Sequence, residues 1–415
     1  MRYIYLISFV LTAFFVSAQD TISVLSYNVL NYTSTNANKA RYADLRVILN
    51  YLKPDVVLLS EIVENSGAQL LLDSAFNKAG AGNYARSVFI DGFDTDNSLF
   101  YKTSKINLKS QSQIKTSIRD ISQYKIYYIS SPGDTAWVYL HSAHLKAGSA
   151  QADMDQRNSE VKAFCSSISS ISQNSNILIS GDFNMRGNDD LAWGTLTSTN
   201  CSHIFNDPIN QGGYWYSNQQ YKNIHTQSSR SSDNPGCCGG ATGGMDDRFD
   251  FILTNNPLTI GANKLQVIPS SYKSIGNDGN HFNLSLNVSP TNTVYPPNIV
   301  QAVFNMSDHL PVFCKFKVLP KVNNSQNLKK NIPFSLHISR DADGFKPFAI
   351  VEEDGNYTSI VYNLMGAKIM ESEIFLKKGK NDLQPFLNIT SNGMYLIVLK
   401  NKAHYTYCKI PIQNY

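Results

Sequence analysis

Hydrophobic and polar positions follow two periods along residues 19–320, and this pattern predicts a mixed α/β fold. Apolar side chains recur at helical spacing in residues 39–52, and Pro54 follows them. Val56–Leu59 is a short run without a polar residue, as is typical of a buried strand. Further strands are predicted at 21–27, 137–144, 176–180, 249–253 and 312–318, and a second helix over 151–172. Helices mixed with apolar strands indicate a layered α/β domain.

The pattern changes after residues 321–331, a polar stretch that we interpret as a linker. Phe334, Leu336 and Ile338 alternate with polar residues, and strand patterns return at 349–352, 360–364 and 394–399. Turn residues separate these strands, and no helical period is evident. Residues 332–415 are therefore predicted to form a small all-β sandwich.

Residues 1–18 have the pattern of a secretory signal peptide. Arg2 supplies a positive charge, Ile4–Val16 is apolar, and Val16–Ala18 places small residues before the expected cleavage point. No later run is long and apolar enough for a membrane helix. We expect a secreted or cell-surface protein.

The chain has six cysteines, and in an exported protein these favour one or two disulfides. Their pairing cannot be deduced from sequence. Cys237 and Cys238 are adjacent, and we do not expect them to bond to each other, because that geometry is strained. No cysteine or histidine spacing indicates zinc.

The formal net charge of +4 is not spread over the chain. Residues 19–320 carry 23 Lys and Arg against 24 Asp and Glu, so the excess of positive charge lies outside them. This balance counts against tight nonspecific binding of nucleic acid. It does not exclude a nuclease, since a metal ion can meet the phosphate charge locally.

Polar residues capable of chemistry stand where the predicted strands end. Asp182 and Asn184 follow the strand 176–180, and residues two apart on an extended chain project to the same side. Such a pair can hold a hard cation or deprotonate and orient a water. Other such residues at predicted strand ends or just before a strand are Asn28, Glu61, His144, Asp250, Asp308 and His309.

This ordered set resembles the endonuclease/exonuclease/phosphatase superfamily, which includes deoxyribonuclease I, apurinic-site endonucleases, inositol-polyphosphate phosphatases and bacterial sphingomyelinases. The resemblance covers residues 19–320. It implies a four-layered sandwich, in which two packed β-sheets are flanked by helices, and an enzyme that hydrolyses phosphoester bonds with Mg²⁺ or Mn²⁺. The segments that carry it are Ser26–Val29, Leu59–Glu61, Ala143–Gly148, Gly181–Asn184, Arg248–Ile252 and Ser307–Pro311.

The resemblance also implies roles for single residues. The predicted metal-binding residues are Asn28, Glu61 and Asp308. The predicted catalytic residues are His144 against the scissile phosphate, Asp182 activating a water, Asn184 orienting it, and His309 supported by Asp250. Oxygen ligands of this kind suit Mg²⁺ or Mn²⁺, and a histidine beside a buried aspartate can stay protonated against phosphate.

We therefore expect a secreted, monomeric, Mg²⁺-dependent phosphodiesterase, with an endonuclease on extracellular DNA or RNA favoured. One alternative is a phosphatase or a sphingomyelinase-like phospholipase C acting on small or lipid phosphoesters. Another is an inactive binding protein on the same scaffold.

Several side chains near these motifs admit two interpretations. Tyr214–Tyr216 could stack on bases or insert into lipid, but packing is favoured because aromatic residues are usually buried. His141 is interpreted as structural. Residues 236–244, rich in Gly and Cys, suggest a loop near the site. A role in reading the substrate and an ordinary structural role are equally favoured for Tyr272, Asn277, Asp278 and His281.

The C-terminal module resembles the sorting domain of type IX secretion in Bacteroidota. Val361–Gly366 and Asn392–Val398 carry this resemblance. It implies a secretion machinery as partner and export through the periplasm of a Gram-negative bacterium. A generic β-sandwich binding module is the alternative.

Overall fold

The computed structural model describes residues 20–35, 37–78, 82–131, 134–232, 238–319, 333–341, 344–363, 366–383, 393–402 and 404–412. The predicted signal peptide and the predicted linker lie outside these residues. The chain divides into two compact units between Lys321 and Val322.

The strands of the first unit form two sheets of six. In chain order they are β1 (Thr21–Tyr32), β2 (Val56–Ile62), β3 (Tyr84–Arg86), β4 (Asp96–Lys102), β5 (Ile106–Ile114), β6 (Ile121–Ser131), β7 (Asp134–His144), β8 (Asn176–Asp182), β9 (Phe205–Asn206), β10 (Asp250–Asn255), β11 (Leu265–Ser274) and β12 (Val312–Val318). One sheet has the order β11-β12-β1-β2-β4-β3, and the other β5-β6-β7-β8-β10-β9. Within them β1 and β2 are parallel, as are β7 and β8, and the remaining pairs are antiparallel.

Helices cover the outer face of each sheet. The described α-helices are α1 (Tyr42–Leu52), α2 (Asn65–Leu71), α3 (Gln151–Ser167), α4 (Leu191–Leu196), α5 (Asn256–Ile260) and α6 (Pro297–Met306). Helices α1, α2 and α6 pack on the first sheet, and α3 and α4 pack on the second. None of the described helices is both long and apolar enough to cross a membrane.

Alternation along the central strands builds this layering. In β1, Val24 faces the core between the sheets, while Leu25 faces the helices. In β8, Leu178 and Ile179 divide in the same way. Successive residues of a strand point to opposite faces, so an apolar run buried on both sides produces two cores at once. The predicted four-layered sandwich is confirmed.

The predicted elements differ from the structure at their ends, and several observed elements, among them α6 and β11, have no predicted counterpart. Helix α1 begins at Tyr42, because residues 37–41 form a 3₁₀ turn. The pair β5 and β6 was not predicted, since β5 carries Lys109, Ser110 and Gln111 and exposes much of its length. Strand β12 has the predicted bounds.

The second unit is all-β in its described residues, as predicted. Its strands are β13 (Phe334–Asp341), β14 (Gly344–Val351), β15 (Gly355–Asn363), β16 (Lys368–Leu376), β17 (Gly379–Asp382), β18 (Gly393–Lys400) and β19 (Tyr405–Ile412). They form sheets of order β13-β14-β17 and β16-β15-β18-β19. Val361, Ile397 and Leu399 lie in the apolar core of this unit.

A disulfide joins Cys165 in α3 to Cys201 beyond α4, in agreement with the expectation of one or two disulfides. Cys314 and Cys408 are free thiols. Cys238 is disulfide-bonded. Cys237 lies outside the described residues, so the expectation that Cys237 and Cys238 do not bond to each other stays a prediction.

Gly181 fixes the contact between the parallel strands β7 and β8. Its φ is +132°, and a Cβ placed there would lie 1.9 Å from the carbonyl oxygen of Ala143. Only glycine tolerates both the conformation and the close approach. The next register pair is His144 with Asp182, so this glycine sets the spacing of two predicted catalytic residues.

Gly181→Ala should destabilise the first unit by about 3 kcal/mol or more, because strained backbone and a steric clash add. Urea denaturation followed by tryptophan fluorescence reports on this unit, since Trp137, Trp193 and Trp215 all lie in it. Gly194→Ala in α4 is the matched control, because a Cβ there meets nothing within 4 Å. Equal stability of the two variants would contradict the role given to Gly181.

Candidate active site

Predicted site residues from five strands meet at one edge of the two sheets. Asn28 lies in β1 and Glu61 in β2. In the other sheet Asp182 pairs in register with His144 on one side and with Asp250 on the other. Contacts between Asn28 and both Glu61 and Asp182 then join the two sheets. The fold therefore brings together residues up to 222 positions apart.

His309, between α6 and β12, is the cationic group of this edge. Its Nδ1 donates to Asp250 Oδ2 at 2.8 Å, and its Nε2 lies 3.5 Å from Asp182 Oδ2. Burial alone would lower the pKa of His309, but Asp250, Asp182 and Asp308 together raise it well above the usual value. The imidazole is thus protonated at neutral pH.

Asp182 is a buried carboxylate whose protonation is poised near neutrality. Its Oδ2 accepts from Asn28 Nδ2 at 3.1 Å, and its Oδ1 accepts from the backbone N–H of Asn184 at 3.1 Å. Burial raises the pKa of Asp182 to about 7, an effect that nearby His309 opposes. A base with a pKa near the working pH is suited to remove a proton from water.

Glu61 and His144 form the other side of the cluster. Glu61 accepts from Asn28 Nδ2 at 2.7 Å and from the N–H of Asn31 at 2.9 Å. Burial raises the pKa of Glu61, and the charge of His309 partly offsets this. Burial, with Arg119 and His309, holds the pKa of His144 well below its usual range, so His144 is neutral and able to act as a ligand.

Two site residues sit in strained backbone. Glu61 has φ of 60° and Asn184 has φ of 52°, values that non-glycine residues adopt only where the surroundings enforce them. Asn184 Nδ2 donates to Leu145 O at 3.1 Å. This leaves the amide oxygen of Asn184 to accept from a bound water.

Three ligand groups converge as a metal ion requires. Atoms of Glu61, His144 and Asp182 lie within 4.8 Å of one another. His144 Nδ1 is buried and has no hydrogen-bond partner among the described residues, as expected for a donor atom reserved for a cation. Two carboxylates and a neutral imidazole are a donor set that divalent metals accept.

This triplet overlaps the predicted metal-binding residues in Glu61 alone. Asn28 directs its amide N–H₂ at the two carboxylates and uses its oxygen to accept from Leu30 N. Asp308 Oδ2 already accepts from Gln227 Nε2 at 3.1 Å and from Ala241 N at 2.6 Å. In this structure Asn28 positions two of the converging groups, Glu61 and Asp182, while Asp308 contacts Gln227 and Ala241.

The described part of the loop rich in Gly and Cys, residues 238–244, lies against the site. Besides the contact of Ala241 with Asp308, a Cβ at Gly240 would come 2.9 Å from Asp308 Cγ. Gly240 also has φ of +103°. Residues 233–237 lie outside the described ones.

Sequence reasoning missed Gln227 and Asp247. Gln227 is buried, and its side-chain amide lies 2.6 Å from His309 Nε2. A protonated His309 donates from this nitrogen, so it requires the oxygen of the Gln227 amide on this side. Asp247 pairs with Gln227 through the backbone, and burial together with Asp246 raises the pKa of Asp247 to about 7. Both lie in irregular chain with no strand or helix period, so no pattern in the sequence marks them.

The ambiguous side chains are largely internal. His141 packs on Phe164 and its Nδ1 lies 3.2 Å from Leu178 O; burial lowers the pKa of His141 to about 4. His281 pairs with Asp278 at 2.8 Å, and the Tyr272 hydroxyl accepts from a β10 backbone N–H. Trp215 is buried, as the packing interpretation predicts, but Tyr214 is 48% exposed.

Comparison with known proteins gives structural neighbours only. No protein family model matches the chain, and no curated protein is significantly similar. A solved structure of D. rerio TDP2 complexed with single strand DNA product covers 72% of this chain and 99% of its own, with 17% identity and a TM-score of 0.48. An endonuclease/exonuclease/phosphatase from Bacteroides vulgatus covers 72% of this chain and 100% of its own, with 13% identity and a TM-score of 0.47. The human Nocturnin catalytic domain with bound sulfate covers 72% of this chain and 98% of its own, with 15% identity and a TM-score of 0.45. Sequence identities of 13–17% do not establish the function of this chain.

Asp182→Asn should raise the melting temperature of the metal-free protein, and more so as the pH rises. The folded pKa of Asp182, about 7, lies above the ordinary value of about 3.9. Stability is then fully present below about pH 4 and is lost as the pH rises toward 7. In EDTA we expect a gain of at least about 2 °C at pH 8 and a smaller one at pH 5.

Asp155→Asn on the exposed side of α3 is the control for this measurement, with no gain expected. A melting temperature that falls at pH 8 in the Asp182→Asn protein would show that the carboxylate stabilises the fold, contrary to this expectation.

Proposed function

We propose that this chain is a metal-dependent phosphodiesterase, with an endonuclease on DNA or RNA as the favoured activity. The observation that carries the proposal is the convergence of a protonated His309, a carboxylate poised near neutrality in Asp182, and a set of ligand groups that includes Glu61. Hydrolysis of a phosphodiester needs a base for water, positive charge at the phosphate and help for the leaving group.

The proposed mechanism uses Asp182 both as the base and as one of the ligand groups, and gives every other side chain one task. Asp182 takes a proton from a water that the amide oxygen of Asn184 orients, and the water oxygen then bonds to phosphorus. His309, held by Asp250, donates toward the phosphoryl and leaving oxygens as the bond between phosphorus and the leaving oxygen breaks. General acid and base help of this kind contributes about 10²–10⁴-fold each.

Glu61, Asp182 and His144 would hold a divalent cation, for which Mg²⁺ or Mn²⁺ is our proposal. When bound, it would supply positive charge to the phosphoryl oxygens. Asn28 bridges the two carboxylates, because its Nδ2 donates to Glu61 at 2.7 Å and to Asp182 at 3.1 Å.

Residues 182–186, at and after the end of β8, carry Asp182 and Asn184, and we call them the catalytic loop. Nucleic acid is the favoured substrate because this loop ends at Arg186, which contacts Tyr216 and, through it, Tyr214. Arginine and tyrosine both bind nucleotides. A lipid phosphodiester is the second candidate. Phe93 is 96% exposed and Val88 is 73% exposed in the segment before β4, and Asp94 beside Phe93 bonds to Arg119, whose charge acts on the pKa of His144. Exposed apolar side chains at the rim of a site suit a membrane surface.

We further propose that the protein is secreted and that the second unit serves as a sorting domain for type IX export. The Cys165–Cys201 disulfide supports an oxidising compartment. Mass spectrometry of culture supernatant, with the full chain against one truncated after Lys321, tests this. The proposal fails if the truncated chain is exported equally well.

The full chain should cleave single-stranded or plasmid DNA, or RNA, with Mg²⁺ or Mn²⁺ and not with EDTA. His309→Asn and Asp182→Asn should each lower kcat/KM by about 10²–10⁴-fold, because one removes the proton donor and the other the base. His337→Asn, in the second unit and exposed, is the matched control.

Cleavage of sphingomyelin vesicles or inositol phosphates without cleavage of nucleic acid would move the proposal to the second candidate. An unmodified protein that hydrolyses none of these substrates would leave an inactive binding protein as the better account. Activity that survives in EDTA would exclude the metal-dependent mechanism.

Glu61→Gln should weaken metal binding without loss of fold, because it removes a carboxylate charge from the ligand set. The readout is the rise in melting temperature on titration with Mn²⁺, which follows mass action. We expect the Mn²⁺ concentration needed for a given rise to increase by about tenfold or more. An unchanged titration would place the ion elsewhere.

A further inference from the structure

The catalytic loop runs directly into a cation stacked on an aromatic ring. Arg186 follows Asn184 by two positions, and its guanidinium carbon lies 3.9 Å from the centroid of the Tyr216 ring. Tyr214 meets Tyr216 edge to face, with centroids 6.2 Å apart. We call Arg186, Tyr214 and Tyr216 the aromatic shelf.

The shelf is tied rigidly to the catalytic residues. The carbonyl oxygen of Arg186 accepts from the N–H groups of Trp215 and Tyr216, each at 3.1 Å. Between the two tyrosines, the buried Trp215 donates from its indole nitrogen to Met185 O at 2.7 Å and packs on Trp193 and Phe251. The residue that packs into the core therefore fixes its two neighbours at the surface.

The charge of Arg186 is available to a ligand. Among the residues that the structure describes, no carboxylate lies within 4.0 Å of its guanidinium nitrogens, and no hydrogen bond from its side chain is found. By contrast Arg157 and Arg248, the other arginines near this loop, are fully buried and paired with Asp190 and Asp207. A half-buried, stacked guanidinium with unused donors matches the planar, bidentate geometry of a phosphate.

The shelf also adjoins the reacting groups. The N–H of Ser217, next to Tyr216, donates to Asp246 O at 2.8 Å. The following residue, Asp247, pairs with Gln227 through the backbone, and the side-chain amide of Gln227 lies 2.6 Å from His309. Tyr214 exposes 48% of its surface, and its ring packs over Gly187, where a Cβ would come 2.9 Å from the ring. An exposed, preordered aromatic ring beside a phosphate site can stack on a base at little entropic cost.

We propose that the aromatic shelf binds the nucleotide next to the scissile phosphodiester, with a base stacked on the tyrosines and its phosphate held by Arg186. This rests on the proposed phosphodiesterase function and names single-stranded nucleic acid as its substrate class. A lipid surface is the competing ligand, because aromatic rings can also insert at a membrane interface or contact a quaternary ammonium group; the measurements below distinguish the two.

The test compares two diesters and two kinds of tyrosine variant in the full chain. The substrates are a single-stranded DNA oligonucleotide and methyl p-nitrophenyl phosphate, which has no base. Tyr216→Leu should lower the ratio of kcat/KM for the oligonucleotide to that for the small diester by about tenfold, the worth of one stacked base. Tyr216→Phe should restore the ratio, because it keeps the ring.

Tyr51→Leu is the matched control, since Tyr51 is 46% exposed on α1 and outside the site; its ratio should equal that of the unmodified protein. Arg186→Gln should lower oligonucleotide affinity and reduce the salt dependence of binding by about one phosphate contact.

A second measurement is independent of hydrolysis. In the His309→Asn background, fluorescence anisotropy in EDTA should show about tenfold weaker binding of a labelled oligonucleotide after Tyr216→Leu. If Tyr216→Leu lowers kcat/KM equally for both diesters, or does not weaken oligonucleotide binding, the proposed role of the aromatic shelf is wrong. Weaker binding to sphingomyelin vesicles with unchanged oligonucleotide binding would overturn it in favour of lipid.

The two proposals fail differently. If the unmodified protein hydrolyses neither diester, the proposed phosphodiesterase function is wrong. The anisotropy measurement still tests whether the aromatic shelf binds nucleic acid. An active protein whose substrate ratio is unaffected by Tyr216→Leu contradicts the shelf alone.

Discussion

The burial of several carboxylates around one imidazole is the constraint on which the rest of the structure depends. Asp182, Asp250 and Asp308 are almost inaccessible to water, and Glu61 is nearly so. Such charges are costly to bury unless hydrogen bonds, a cation or protonation offsets them. His309 supplies one positive charge, and the raised pKa of Asp182 shows that this is not sufficient. A divalent cation beside Glu61, as proposed above, would offset the remaining negative charge.

Rigid strands hold these buried carboxylates in place despite the free-energy cost of burying them. His144, Asp182 and Asp250 sit in register on three adjacent strands, two of which approach so closely that position 181 must be glycine. Asn28 reaches across from the other sheet. Helices on both outer faces pack against the same strands. The apolar layers therefore provide most of the stability, while burial of the Asp182 and Glu61 carboxylates at the edge costs stability.

Much of the fold and of the site could be predicted because both depend on local pattern. Apolar runs such as Val56–Leu59 mark strands buried on both faces, and the polar residue that ends each run marks the edge. Strand β5 escaped prediction because its exposed, polar positions carry no such period. Gln227 and Arg186 could not be predicted from the sequence for a different reason. Their importance lies in contacts with His309 and Tyr216 that only the tertiary structure creates.

The site also differs in detail from the roles that the motifs imply. Sequence motifs identify which residues share an edge, but the direction of an amide or carboxylate depends on its hydrogen-bond partners. Asn28 and Asp308 illustrate this, because backbone and side-chain donors already occupy their oxygens. The ligand set of the cation is thus the part of the account most dependent on three-dimensional detail.

The most direct test is a crystal structure of the full chain soaked with Mn²⁺, with anomalous differences collected at the manganese edge. We expect a single strong peak at the edge of the sandwich, at bonding distance from a carboxylate oxygen of Glu61 and close to Asp182 and His144. No peak at this edge, or a peak whose ligands exclude Glu61, would contradict it.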